Sequence, residues 1–334
     1  MNFITHELLI LVYARSIKDG RLIYHKGLYR EIPVFWLIMK HSVLLFFIDG
    51  LGIGERSEHN PLAMVDSVEP LAYFKHENHV KIFADGVMIP TDARLGVEGR
   101  PQSASGQTTI LTGVNAPAKI GHHKQGFPNE ALRQILQSDS IFLKLLFNGI
   151  ERIVFANAYT PQFFQTTPRW KSATTLAVEA AKLPFRKLSD LINGQALFHD
   201  FTNQVLQDKG FQVPIFSVKE AAQILTTLLE SNQFVLYEHF ITDKIGHAQD
   251  FQKAKEHLPK LAELIRELLQ KVNLERTTVI LTSDHGNIED LSIRNHTLND
   301  VPTVVWGRKK NEVASKIKDL TDITPTILEL LTDE

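Results

Sequence analysis

The sequence predicts an α/β fold: a mainly parallel β-sheet sandwiched by helices, with a small lid inserted mid-chain. Three observations predict it. Apolar runs such as Val43-Leu-Leu-Phe-Phe-Ile48, Phe234-Val-Leu-Tyr237 and Val279-Ile-Leu281 are continuous rather than alternating, the pattern of strands covered on both faces. Stretches of helical periodicity, clearest at Val218–Ser231 and Phe251–Val272, separate these runs and give the β–α–β order of parallel crossovers. Each run leads into glycines or metal-capable side chains, and open α/β sheets bind ligands at strand carboxyl ends.

A chain of 334 residues is long enough for one large α/β domain with an embellishment, or for two domains. The formal net charge of −2 gives no reason to expect nucleic acid or an anionic membrane as partner. The absence of cysteine excludes disulfides, thiolate metal sites and cysteine nucleophiles, while fourteen histidines supply imidazole.

Residues 1–38 are expected to be an appended or misassigned leader, poorly packed on the rest. Leu8–Tyr13 is apolar but lacks a basic flank and is too short to span a bilayer, and Met39-Lys40 resembles a start of translation. With no signal peptide legible, a cytoplasmic location is expected. The core is assigned to 39–159 and 213–334.

Val43–Ile48 reads as a buried strand that ends in Asp49-Gly-Leu-Gly-Ile-Gly54. The glycine spacing does not fit a dinucleotide fingerprint, and an aspartate in front would repel a pyrophosphate; a carboxylate there suits a cation. Residues 55–100 read as loops with a short strand at 80–83. Pro101-Gln-Ser-Ala-Ser-Gly-Gln-Thr-Thr-Ile-Leu-Thr-Gly113 reads as a loop entering a helix, whose N-terminus favours a phosphate and could present a serine nucleophile. A plain Ser/Thr cap fits the same residues. Helical spacing follows at 129–137 and 140–147, then a strand at Arg152–Ala156.

Residues 160–212 are irregular, apart from a helix expected around His199–Lys209, and are assigned to the lid. Strand 234–237 runs into Asp243-Lys-Ile-Gly-His247, a D-x-x-x-H pair that converges if the turn is helical. Thr278–Thr282 leads to Ser283-Asp-His-Gly286, and Asn295-His-Thr297 precedes a strand at Val301–Trp306. Thr324-Pro325 opens a final helix through Leu331, with the proline at its first position.

Three strands therefore deliver Asp49, Asp243 with His247, and Asp284 with His285 to one sheet edge, near His296 and the Ser103 loop. Oxygen and imidazole donors without sulfur suit Mn²⁺ or Zn²⁺, with Mg²⁺ a further option. Six donors exceed the needs of one tetrahedral ion. Two divalent ions roughly 3.5–4 Å apart would use them all and could hold both oxygens of an in-line phosphoryl transfer.

In this order, the Asp49-Gly50 strand end, Ser103-Ala-Ser-Gly106, Asp243-x-x-x-His247, Ser283-Asp-His-Gly286, Asn295-His-Thr297 and Asp322-Ile-Thr-Pro-Thr326 resemble the alkaline phosphatase superfamily. The nearest resemblance is to its metalloenzyme branch, with cofactor-independent phosphoglycerate mutase and phosphopentomutase. It implies an alkaline phosphatase-like core. It also implies one metal on Asp243, His247 and His296, and another on Asp49, Ser103, Asp284 and His285. Ser103 aligns as the phosphorylated nucleophile, three residues before Gly106, with Ser105 the alternative if the register shifts by two.

Two departures bear on the reaction. The mutases carry a large separate cap where this chain has only 160–212, and a histidine where it has Gln107. An open site admits water. The expected reaction is thus hydrolysis of a small phosphate ester through a phosphoserine, with a phosphomutase as alternative and a non-catalytic metal or phosphate module third. Lys124, Arg169 and Lys171 are candidates for a second anionic group of the substrate.

Overall fold

The computed structural model describes residues 13–18, 21–26, 41–77, 82–166 and 170–332. The chain divides into two compact units, residues 1–40 and 41–334. Within the first, β1 (Tyr13–Lys18) and β2 (Arg21–Lys26) pair antiparallel. The rest of the expected leader lies outside the described residues.

The second unit is built on a six-stranded sheet. Its strands are β3 (Ser42–Ile48), β4 (Val87–Thr91), β5 (Ile153–Phe155), β8 (Phe234–His239), β9 (Thr277–Thr282) and β10 (Val301–Gly307), in the order β4-β10-β9-β3-β8-β5. β6 (Ala158–Tyr159) and β7 (Arg186–Lys187) form a separate short parallel pair. The β3–β8, β3–β9 and β5–β8 pairings are parallel, while β10 runs antiparallel to both β9 and β4. The sheet is mainly parallel with an antiparallel edge, as the continuous apolar runs predict.

Those runs alternate between two cores. Leu44, Phe46 and Ile48 of β3 enter one apolar cluster with Val235, Tyr237, Val279 and Trp306, and Val43, Leu45 and Phe47 enter the other with Phe234, Leu236, Ile280 and Val305. The helices Val218–Ser231 and Phe251–Lys271 cover the first face. Those at Ser103–Thr112, Ala173–Ala180 and Ile323–Thr332 cover the second.

Three elements differ from the sequence reading. The expected strand at 80–83 lies partly outside the described residues; Phe83–Asp85 is a 3-10 turn and the strand is β4. The last helix starts at Ile323, so Pro325 is its third residue; the preceding turn is capped by Asp319 and Asp322. The stretch 160–212, expected as a lid, supplies both cores: Leu176, Ala177 and Val178 on one face, Leu197, Phe201 and Leu206 on the other. Its apolar residues come in short runs split between two faces, so no single periodicity shows.

Candidate metal centre

The donor side chains converge because three loops leave the carboxyl edge of neighbouring strands. Asp49 follows β3 and Asp284 follows β9, its parallel neighbour. Asp243 and His247 sit one turn apart on the helix Ile241–Ala248, directly after β8. Ser103 opens the helix Ser103–Thr112.

The donors fall into two adjoining sets. In one, His285 Nε2 lies 2.9 Å from Ser103 Oγ, 3.3 Å from Asp49 Oδ1 and 3.5 Å from Asp284 Oδ2. In the other, His247 Nε2 lies 3.1 Å from His296 Nε2 and 3.5 Å from Asp243 Oδ2, and His296 Nε2 lies 3.5 Å from Asp243 Oδ1. The rings of His285 and His296 stack with centroids 3.5 Å apart, which joins the sets. Ser105 is occupied elsewhere: its hydroxyl donates to the Gln102 carbonyl and accepts from the Lys124 N–H.

The donor set fits divalent cations. His247 and His296 each place Nδ1 on a backbone carbonyl, of Arg294 at 2.8 Å and of Pro101 at 2.9 Å. A carbonyl can only accept, so each Nδ1 carries a proton, and in that tautomer each ring turns a bare Nε2 lone pair inward. Two such lone pairs 3.1 Å apart repel unless a cation or proton lies between them. With bonds of roughly 2.0–2.1 Å, donors on a tetrahedral ion stand roughly 3.4 Å apart, close to the separations within both sets. Asp49 Oδ1 is buried without a hydrogen-bond donor, a further sign of an oxygen meant for an ion.

Electrostatics follow from crowding. Burial and the charge of Asp49 push Asp284 well above the usual carboxylate range, and burial with the nearby Asp243 raises Asp49. Burial works to lower His285, but Asp284 and Asp49 hold it up at about 10. Burial opposes ionisation of Asp243 too, yet His296, His285 and Asn287 keep it below its ordinary value.

Sequence reasoning missed the residues that brace the donors. Gln107 Nε2 donates to Asp49 Oδ2 at 3.2 Å and to Asp284 Oδ2 at 3.1 Å, and Asn287 Nδ2 donates to Asp243 Oδ1 at 2.8 Å. Buried Glu289 ties three donor loops together. It accepts from the N–H groups of Gly52 (3.0 Å) and Asn287 (2.7 Å), the Thr297 hydroxyl (2.5 Å) and the Asn299 amide (2.9 Å). A Cβ at Gly52 or Gly286 would collide with Glu289 Oε1, so what approaches the glycine of the Asp-His-Gly turn is this clamp. The only signal for it was a carboxylate three residues past that glycine.

With the geometry in view, the sequence profile described as the Metalloenzyme superfamily matches residues 41–333. The chain belongs to the Metalloenzyme superfamily. Its curated relatives include proteins described as 2,3-bisphosphoglycerate-independent phosphoglycerate mutase. One from Ehrlichia ruminantium (strain Gardel) is 28% identical over 128 residues, covering 36% of this chain and 25% of that one. Another from Clostridium kluyveri is 30% identical over 127 residues, covering 35% and 25%. These matches span a quarter of the relatives' own length. Among solved structures, the PH0037 protein from Pyrococcus horikoshii aligns over 89% of this chain and 99% of its own with a TM-score of 0.53, at 13% identity, a likeness of fold.

A cavity of about 580 Å³ opens beside the donors, lined by Asp49, Ser103, Gln107 and Asp243. The candidates for a second substrate anion fare unevenly. Lys171 is held by both carboxylate oxygens of Glu179, at 2.7 and 2.9 Å, and Lys124 Nζ donates to the Gln125 carbonyl in a separate shallow cleft. Arg169 lies outside the described residues. The lysines that line the cavity are Lys209 and Lys244, which sequence spacing did not single out. Glu238 also lines it, its carboxyl raised to about 8 by burial and by the charge of Asp49. Among the described residues no helix is long and apolar enough to cross a membrane.

Proposed function

We propose that this metalloenzyme is a two-metal phosphomonoesterase that hydrolyses a small phosphate ester through a phosphoserine on Ser103. The observation that carries the reading is Ser103 Oγ, 2.9 Å from His285 Nε2 and facing a cavity large enough for a substrate. Asp243, His247 and His296 would hold one divalent ion, and Asp49, Ser103, Asp284 and His285 the other. Mn²⁺ and Zn²⁺ suit these donors, with Mg²⁺ a further option. The ions would supply Lewis acidity toward the phosphoryl oxygens and lower the pKa of the serine hydroxyl.

The chain's own residues do the rest. Ser103 Oγ would attack phosphorus, and its position at the first residue of a helix favours the incoming anion through the helix dipole. Gln107 holds Asp49 and Asp284 in register, while Glu289 fixes the loops that carry the donors. Lys244 adds positive charge at the cavity wall. A second reading, phosphomutase, is favoured by the described activity of the curated relatives; Gln107 and the absence of a separate inserted lid among the described residues favour hydrolysis.

The test is a screen of phosphate monoesters with Mn²⁺, Zn²⁺ and Mg²⁺, with Ser103→Ala as control. Phosphate release that this variant abolishes supports the reading, and undiminished turnover in the variant sinks it. Isomerised ester without released phosphate selects the mutase.

A further inference from the structure

Metal donors and a run of aromatic rings line the same cavity. Phe155 ends β5 and Phe240 follows β8, so the sheet order β3-β8-β5 carries the wall away from the donors. Phe127, Tyr159, Phe163 and Phe198 complete it. Its rings brace one another: Tyr159 lies 4.3 Å from Phe163 and 4.8 Å from Phe185, centroid to centroid, and Phe155 meets Tyr159 edge-on at 6.1 Å. Such a wall is set before a ligand arrives.

Several of the polar groups among these rings are engaged with one another, while His199, stacked between Phe198 and Phe240, keeps a buried Nδ1 without a hydrogen-bond partner. Both amide atoms of Asn157 bond to the backbone of Glu238, at 2.7 and 2.9 Å. Thr175 Oγ1 bonds to the Tyr159 hydroxyl and to Ser172 Oγ, each at 2.9 Å. Glu238 Oε1 accepts from Thr174 at 3.3 Å. A sugar placed among these rings would bury several hydroxyls against side chains that mostly pair with one another. Among the described residues the cations lining the cavity are Lys209 and Lys244, and Lys244 Nζ lies over the Phe240 ring at 4.6 Å. A cavity of about 580 Å³ also exceeds what a phosphate with a three-carbon chain fills.

We propose that the alcohol part of the substrate carries a flat ring that stacks on this wall while its phosphate sits at the metal donors. The inference rests on the phosphomonoesterase reading and narrows it to phosphomonoesters of ring-bearing alcohols, away from compact hydroxy-acid phosphates. Rings prefer such offset and edge-on packing, and burying one outweighs burying an ethyl group.

The experiment compares benzyl phosphate, ethyl phosphate and 3-phosphoglycerate with the Mn²⁺-loaded protein. All three leave as alkyl alcohols, so differences report recognition more than bond reactivity. The expected kcat/KM for benzyl phosphate exceeds that for ethyl phosphate by roughly 30-fold. Phe127→Ala and Phe163→Ala narrow that ratio to within about fivefold, a loss of roughly 1 kcal/mol of ring recognition. Phe127 is 46% exposed, so its variant folds; Phe147, 86% exposed at the end of the helix Ile141–Phe147, gives a Phe147→Ala control with the ratio intact. Equal rates for benzyl and ethyl esters, or a preference for 3-phosphoglycerate, overturn the ring-binding inference alone. Absence of phosphate release from every ester overturns the phosphomonoesterase reading with it.

Discussion

The two donor sets adjoin, yet they meet different solvent. The side chains of Asp284 and His285 are fully buried, whereas that of His247 is 33% exposed and that of Asp243 17%. The buried set is braced from inside by Gln107 and rests on two neighbouring parallel strands. The open set depends on one helical turn and a loop, with His247 and His296 steered by backbone carbonyls. The difference predicts unequal ions. An ion on the buried set would exchange slowly and activate the proposed nucleophile, and one on the open set would exchange faster and meet substrate and water.

The largest expected effects fall on the buried set. Ser103→Ala should lower kcat by about 10³-fold or more, as removal of a serine nucleophile does in acyl transfer, while Asp49, Asp284 and His285 still hold the ion of that set. Asp284→Ala should abolish turnover and lose the slowly exchanging ion. Metal content by mass spectrometry beside steady-state kinetics checks both; an Asp284→Ala enzyme with full metal content would dissolve the distinction between the sets.

His247→Ala should be milder: activity falls and returns as Mn²⁺ is raised, because the two remaining donors still bind weakly. Gln107→Leu, which removes donors from two carboxylates without removing a ligand, should weaken metal binding by about 10–100-fold. Isothermal titration of metal-stripped protein resolves these cases. If His247→Ala and Asp284→Ala behaved alike, burial would not be what separates the sets.

Much of this was legible in the sequence, for a physical reason. Strands covered on both faces must be continuously apolar, so β3, β8 and β9 announced themselves, and the residue past each strand end had to fall at the sheet's edge. The role proposed for Ser103 came only from the resemblance, which aligns it three residues before Gly106; the residues alone left a plain helix cap open. What was not legible depends on contacts between distant loops. Glu289 looks like any surface carboxylate until Gly52, Thr297 and Asn299 close on it. Lys171 looks free until Glu179 arrives one helix later. The aromatic wall gathers rings from residue 127 to residue 240, too far apart for any spacing rule.

Two smaller effects concern stability. Glu289→Leu leaves four donors facing an apolar side chain and should cost about 3 kcal/mol, read as a lowered Tm with metal affinity falling in parallel. Folding raises Glu238 from 4.5 to about 8, through burial and the charge of Asp49. The unfolded chain ionises first as pH rises, so this group's contribution is complete below about 4.5 and lost progressively toward about 8. Glu238→Gln removes that titration and should flatten the Tm profile of the metal-stripped protein across the same interval. An unchanged slope would show that Glu238 is not what sets it.

The most direct measurement is anomalous diffraction from crystals grown with Mn²⁺. Two peaks are expected beside Ser103, one bounded by Asp49, Asp284 and His285 and the other by Asp243, His247 and His296, with the second weakened in His247→Ala. A single peak, or manganese bound only away from these side chains, would contradict a paired-ion centre.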